Sequence, residues 1–171
     1  MDSFIVVRPT KSSRNVAVEK WTQSELDHAV VHWRRHFRGD PRVKDDIEID
    51  DADIARSNLI LFRDPSSNSV LNRIAGKLPI AWADDGIHVG EKVYKSEHHA
   101  VILIYPNPLN PNRYVVLNSG FTFREYDYLN NARQVPKLPD WAVVDLRTPV
   151  NSRYPGKIVD ADFFDESWQL K

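Results

Sequence analysis

The chain contains no cysteine, carries a formal net charge of only −1, and has no apolar run that reaches the length of about 18 residues needed to span a bilayer. The absence of cysteine excludes disulfides, thiolate zinc sites and a cysteine nucleophile, although exported proteins can also lack it. The near-zero charge leaves no basic field to hold nucleic acid or an anionic membrane. We therefore expect a soluble protein, compatible with export as part of a larger one, that binds neither nucleic acid nor membrane.

Length and composition predict one folded domain that covers residues 1–171. The sequence is 42% apolar and 27% charged, which is ordinary for a globular protein. A chain of this length buries about two-thirds of its unfolded surface. Proline, glycine and aromatic residues in residues 148–171 predict an irregular carboxyl-terminal tail that packs on the core.

Hydrophobic spacing predicts strands that alternate with helices at both ends of the chain. Apolar residues at steps of three and four predict helices at Ala17–Phe37 and Ser69–Leu78. Short apolar runs predict buried strands, which are Phe4–Val7, Leu59–Phe62, Val101–Tyr105, Tyr114–Leu117 and Trp141–Asp145. Three further stretches are predicted as short extended pieces with hairpin turns, an irregular connection and a helix, which are residues 80–94, 106–112 and 121–132, respectively.

This order of elements favours an α/β domain with a three-layer, mostly parallel sheet, flavodoxin-like or related, and a β-hairpin insertion in the middle. A mixed sheet of the α+β class is the alternative, because residues 80–105 are rich in strands and lack helices. The chain opens directly on a core strand at Phe4, so we also expect that a further segment precedes it in the natural protein.

Three polar loops follow predicted strands, at Arg8–Asn15, Asp64–Asn68 and Asn118–Arg124. In open parallel sheets, ligands bind at the carboxyl edge of the strands, so these loops predict a site for a small anionic or polyhydroxy ligand. Arg8 would pair with an anionic group, and the other side chains would form hydrogen bonds. The candidate ligand-binding residues are Arg8, Ser13, Asp64, Ser67, Asn68, Asn118 and Ser119. The alternative is that these side chains only cap helices, because Ser, Asp and Asn are favoured caps.

The sequence contains no G-x-S-x-G elbow and no glycine-rich phosphate-binding motif. Asn118-Ser119-Gly120 resembles the end of the elbow but lacks its first glycine, so a small serine hydrolase that uses Ser119 is an alternative function. A turn with Gly120 in left-handed backbone is the structural interpretation of this tripeptide. We predict no catalytic residue, no metal and no cofactor.

A stripe of three histidines, His28, His32 and His36, lies at helical spacing on the first predicted helix. Three ligands in line along a helix cannot all reach one ion, and the neighbouring Arg34 and Arg35 would repel a cation. The stripe is therefore predicted to be solvated or to face a partner protein. A protein-interaction module, sensitive to pH near neutrality, is a further alternative function.

Three stretches of the sequence are distinctive as text: HWRRHFRGDPRVKDD, NLILFRDPSSNSVLNRIAGKLPI and ILIYPNPLNPNRYVVLNSGFTFREYDYLNNARQVPKLPDWAVVD. They resemble the region that follows the catalytic domain in large bacterial proteins of the prolyl-oligopeptidase and α/β-hydrolase type. The resemblance covers nearly the whole chain. It implies a non-catalytic accessory domain whose partner, an upstream hydrolase domain, carries the catalytic serine. It assigns no functional residue to any position here.

Overall fold

The computed structural model describes residues 3–133 and 138–171, which form two β-sheets and three α-helices. In chain order these elements are β1 (Phe4–Arg8), α1 (Val16–Phe37), β2 (Val43–Asp45), α2 (Asp51–Arg56), β3 (Asn58–Leu61), α3 (Ser69–Ile74), β4 (Ile80–Ala83), β5 (Gly86–Val89), β6 (Lys92–Tyr94), β7 (His99–Asn107), β8 (Asn110–Leu117), β9 (Trp141–Asp145) and β10 (Lys157–Asp162). Short 3-10 turns occur at Asp46–Glu48, Ala75–Lys77, Glu125–Leu129 and Asn131–Arg133.

The large sheet has seven strands in the order β10-β9-β7-β8-β3-β1-β2. Strands β2, β1, β3 and β8 are parallel neighbours, and helical crossovers connect the first three of them. Strand β7 is antiparallel to both β8 and β9, and β10 is antiparallel to β9. Five of the seven strands therefore run in one direction, which confirms an α/β protein with a mostly parallel sheet.

Both faces of this sheet are covered by apolar side chains, because alternate residues of each strand point to opposite faces. In β1, Ile5 and Val7 join a large cluster with α2, α3 and the small sheet, whereas Val6 packs against α1. The small antiparallel sheet β4-β5-β6 is the predicted hairpin insertion, and Ile80 and Ile87 anchor it to the large cluster. Burial on both faces explains why the central strands are continuous apolar runs.

The predicted irregular connection at residues 106–112 is wrong. Strands β7 and β8 instead form an antiparallel hairpin whose two-residue turn is Pro108-Leu109. The Asn107 side chain accepts a hydrogen bond from the Leu109 amide at 2.9 Å, and Asn110 donates to the carbonyl of Ile54 at 3.0 Å. These asparagine contacts stabilise the hairpin and its position against α2, and they could not be inferred from the proline-rich sequence.

Two other predictions of local structure need correction. The tail is irregular only in part, because β10 within it pairs with β9 at the edge of the sheet, with a register shift between Ile158 and Asp160. The tail does pack on the core through the buried Phe164. The predicted helix at residues 121–132 is two short 3-10 turns. Within the described ranges, no helix is both long and apolar enough to cross a membrane.

Candidate ligand-binding cleft

The three loops predicted to share an edge do so, because β1, β3 and β8 are adjacent and parallel. Hydrogen bonds join the loop after β1 to the loop after β3. The Ser13 hydroxyl donates a hydrogen bond to the Asp64 carboxylate, and the Lys11 amide donates to the Ser67 carbonyl at 3.3 Å. These polar loops are therefore in contact at the carboxyl edge of the sheet.

Asp64 organises the loop after β3. Its Oδ1 atom accepts from the Ser66 amide at 2.9 Å and from the Ser67 hydroxyl at 3.2 Å. Its Oδ2 atom accepts from Ser13. The carboxylate is only partly buried, so it remains at the surface while its donors fix its orientation.

The side chains of Ser67 and Asn68 form hydrogen bonds with backbone groups, as the capping alternative predicts. Asn68 caps α3, since its Oδ1 accepts from the amides of Val70 and Leu71, each at 3.1 Å. Its amide group also donates to the Phe62 carbonyl at 3.1 Å. Both predicted residues are fully buried, and they shape the loop instead of presenting groups to a ligand.

Asn118 ties the loop after β3 to the loop after β8. Its Oδ1 accepts from the Arg63 amide at 2.6 Å, and its Nδ2 donates to the carbonyls of Arg63 and Val101, each at 3.0 Å. Its φ of 53° lies in the left-handed region, which asparagine tolerates better than most residues. Asn118 is therefore a positioning residue with a saturated side chain.

Arg63 is a buried cation beneath these loops that the sequence analysis missed. Its Nη1 donates to the Lys11 carbonyl at 2.6 Å, and its guanidinium lies 3.8 Å from the carboxylate of Glu19. The side chain is only 8% exposed, yet its Nε has no hydrogen-bond partner among the described residues. Its place directly after a buried strand, at the edge where ligands bind, is the signal in the sequence that could have identified it.

A cleft of about 390 Å³ opens between these loops and the small sheet. Its walls include Arg14, Asn15, Asp64, Ser66, Trp82 and Asp84. A smaller cavity of about 20 Å³ is lined by Asn15, Asp64 and Trp82 as well, and also by Arg63 and Asn118. Asn15 donates to the Ser96 carbonyl at 2.9 Å, which joins the start of α1 to the segment after β6.

Of the seven predicted ligand-binding residues, only Asp64 lines this cleft, and Asn118 lines the smaller cavity. Ser13, Ser67 and Asn68 belong to the same loops but do not line the cleft, and the side chains of Arg8 and Ser119 point elsewhere. The Arg8 guanidinium pairs with Asp45 on the neighbouring strand β2, with 2.5 Å between Nε and Oδ1. Ser119 lines separate cavities on the face of the sheet that α1 covers. The strand order correctly places the loops of Arg8 and Ser119 at this edge, but their side chains point away from the cleft. Only Asp64 of the predicted residues remains in the wall of the cleft, and Ser13 orients its carboxylate through a hydrogen bond.

The segment that contains Ser119 packs closely against α1. Gly120 does not have the predicted left-handed backbone; a Cβ atom there would lie 2.6 Å from the Cβ of Ala29. Farther along, Arg124 and Glu25 form a buried ion pair, with 2.5 Å between Nη2 and Oε2. Burial raises the pKa of Glu25, although Arg124 opposes the shift. The glycine is needed for close approach, and the ion pair fixes the segment to the helix.

The histidine stripe contacts this same segment, so the predicted solvated or partner-facing stripe is wrong for two of its members. The His28 ring lies 3.1 Å from the Phe123 carbonyl, and His32 forms a hydrogen bond with the Tyr128 hydroxyl. Burial and the neighbouring His28 lower the pKa of His32 to about 4. Burial also lowers the pKa of His28. Only His36 is exposed.

The cleft therefore combines fixed hydrogen-bonding groups with an aromatic wall, and a buried guanidinium lines the smaller cavity that shares Trp82 and Asp64 with it. Within residues 3–133 and 138–171, no group of three or more His, Asp or Glu side chains is arranged to hold a metal ion.

Comparisons of the chain with protein-family models, with curated proteins and with solved structures found no match.

Proposed function

We propose that this chain is a non-catalytic domain that binds a small polar ligand in the cleft between the loops after β1 and β3 and the small sheet. One observation carries the proposal: a polar cleft of about 390 Å³ opens where two adjacent parallel strands end. Its volume lies in the range of about 300–1,000 Å³ that is common for ligand pockets. Its position is that of ligand sites in open α/β sheets.

We also infer a three-layer, flavodoxin-like architecture for the domain. The inference is supported by α1 on one face of the sheet and by α2, α3 and the small sheet on the other. In this architecture the loops after β1 and β3 belong to the ligand-binding edge. The fold thus supplies a position for the cleft, and its residues determine what it binds.

A binding role is favoured over hydrolysis by the partners of the serines. A serine nucleophile needs an adjacent general base. No serine in the described part of the chain forms a hydrogen bond with a histidine, and Ser13 donates to a carboxylate that other donors already engage. Ser119 lies near the buried Glu25–Arg124 pair, where Arg124 holds the carboxylate.

Association with a serine hydrolase or peptidase is the second part of the proposal, and it is supported by the resemblance of the sequence to carboxyl-terminal regions of such proteins. The reading frame upstream of Met1 tests it directly. An uninterrupted frame that encodes a serine-hydrolase domain supports the accessory role. A stop codon immediately upstream, together with no binding to a separately expressed hydrolase domain, would overturn it.

Ligand binding is tested by two-dimensional NMR of the labelled chain with sugars, polyols, amino acids, carboxylates and inorganic phosphate. We expect at least one class to shift the amide signals of residues 9–15 and 62–68. The variant Asp64→Asn weakens that response, because it removes the carboxylate at the cleft. The matched control Asp51→Asn changes an exposed carboxylate on α2 and leaves the response intact. Turnover of esters or peptides that Ser119→Ala abolishes would contradict the non-catalytic role.

A further inference from the structure

We propose that the ligand of the cleft is a neutral saccharide, a mono- or disaccharide whose ring packs on Trp82. This inference rests on the proposed function and names its ligand class. Three features carry it: a partly buried aromatic ring in the cleft that contacts no other aromatic ring among the described residues, opposite charges without ion pairs, and a buried guanidinium with an unused donor in the smaller cavity that shares Trp82.

Trp82 is the aromatic wall of the cleft. It lies on β4, is half-buried, and lines both the large and the small cavity. Among the residues that the structure describes, its ring contacts no other aromatic ring, whereas Trp33 packs against Phe4 at 4.7 Å between ring centroids. A half-exposed indole in a polar cleft offers a flat apolar surface, which the C–H face of a sugar ring covers well.

The free charges of the cleft favour a neutral ligand. Neither Arg14 nor Asp84 forms a hydrogen bond or ion pair within the described ranges, and both line the cleft together with Asp64. One cation and two carboxylates leave a slight negative excess, which disfavours phosphates and other anions. A sugar hydroxyl both donates and accepts, so a single ligand can satisfy the guanidinium and the carboxylates.

Neutral polar groups add to this complementarity. Ser66, Asn72 and Asn15 line the cleft with hydroxyl and amide groups. Beneath them, the Nε of Arg63 is buried without a partner in the part of the chain that the structure describes, and its side chain lines the small cavity beside Trp82. The Glu19 carboxylate, at 3.8 Å, offsets its charge. An unused donor next to an aromatic surface suits a hydroxyl at the edge of a stacked sugar.

The test is an NMR titration of the whole chain with glucose, galactose, mannose, N-acetylglucosamine and their disaccharides. The comparison ligands are inorganic phosphate, glycine, citrate and adenosine. We expect at least one saccharide to shift the indole N–H signal of Trp82 and the amides of residues 62–68. Trp82→Ala should weaken that binding about tenfold or more, whereas Trp82→Phe, which keeps an aromatic face, should retain most of it.

Asp84→Ala provides a second variant at an exposed site, in case Trp82→Ala does not fold, and it should weaken saccharide binding severalfold. If an anion, glycine or adenosine shifts these loops and no saccharide does, the saccharide inference is overturned and the proposed binding function stands. If no compound in either set shifts the loops, the proposed function fails as well. A saccharide that binds equally well to Trp82→Ala and Asp84→Ala also overturns the inference.

Discussion

The loop after β3 and the loop after β8 leave neighbouring parallel strands at the same edge of the sheet, yet they do different things. Both pass through left-handed backbone within two residues of the strand, at Arg63 (φ 85°) and Asn118 (φ 53°). The first loop holds its shape with its own caps and borders the open cleft. The second crosses to α1 and is held by a buried ion pair and two histidines. Two loops of similar polar composition thus have different roles, because one borders the cleft and the other packs against α1.

The largest expected effect is on the attachment of the second loop. Arg124→Met leaves the Glu25 carboxylate buried without its partner, so we expect a loss of about 3–5 kcal/mol in the free energy of unfolding. Asp64→Ala in the first loop removes a partly exposed hydrogen-bonded carboxylate and should cost about 1 kcal/mol. Urea unfolding followed by circular dichroism measures both. Equal losses would erase the distinction between a segment held by a buried ion pair and a loop held by partly exposed hydrogen bonds.

The next effect concerns the residue that joins the two loops. Asn118→Gly keeps the left-handed backbone accessible but deletes the three hydrogen bonds to Arg63 and Val101. We expect a loss of about 2–3 kcal/mol, measured by urea unfolding. Asn118→Ala should cost about 1 kcal/mol more, because a Cβ atom strains that backbone. If the glycine variant is as stable as the wild type, Asn118 does not couple the loops.

A third effect should appear as a dependence on pH. The folded-state pKa of His32 is about 4, below its ordinary value near 6.5, so the fold favours the neutral ring. This stabilisation is complete above about pH 6.5 and is lost as pH falls toward 4, with a slope of up to about 1.4 kcal/mol per pH unit. His32→Gln should flatten the measured free energy of unfolding between pH 4 and 6.5. Parallel profiles for variant and wild type would mean that the ring does not titrate with folding.

The smallest effect compares one serine from each loop. Ser67 is fully buried, and its hydroxyl donates to the Asp64 carbonyl at 3.1 Å, so Ser67→Ala should cost about 1–2 kcal/mol. Ser119→Ala should change stability by less than about 0.5 kcal/mol, because no side-chain hydrogen bond in the described part of the chain involves Ser119. Thermal and urea unfolding of the two variants give the comparison. A larger loss at Ser119 would reverse it.

Much of the fold could be predicted, because both faces of the large sheet are buried. Strands at Phe4, Leu59 and Trp141 are short apolar runs, and α1 has a clear helical period. The hairpin of β7 and β8 could not be predicted, since Pro106 and Pro108 are typical of a break and the stabilising asparagine contacts appear only in three dimensions. Strand β10 is polar and lies at an edge, so its sequence carries little hydrophobic signal.

The sequence predicted that polar loops meet at the carboxyl edge of the sheet, but it predicted few of the residues that line the cleft there. Because β1 and β3 are adjacent and parallel, the loops that contain Ser13 and Asp64 lie side by side. Arg8 and Ser119 lie at the same edge but do not reach the cleft. The Arg8 side chain pairs with Asp45 on β2, and Ser119 lies on the face of the sheet that α1 covers. Trp82 was missed because nothing local marks it: its role depends on the small sheet folding back over the loops. Arg63 could have been identified, because it directly follows a buried strand at the edge where ligands bind.

The register shift in β10 has a consequence for how copies of this protein meet. The strand exposes Lys157 and Asp162 at the edge of the sheet, whereas the carboxylate of Asp160 accepts hydrogen bonds from Lys92 and Tyr94 of β6. Charges and a bulge at an unpaired border discourage another chain from docking there by backbone pairing. We expect such an edge to oppose fibril-like stacking of this domain at high concentration.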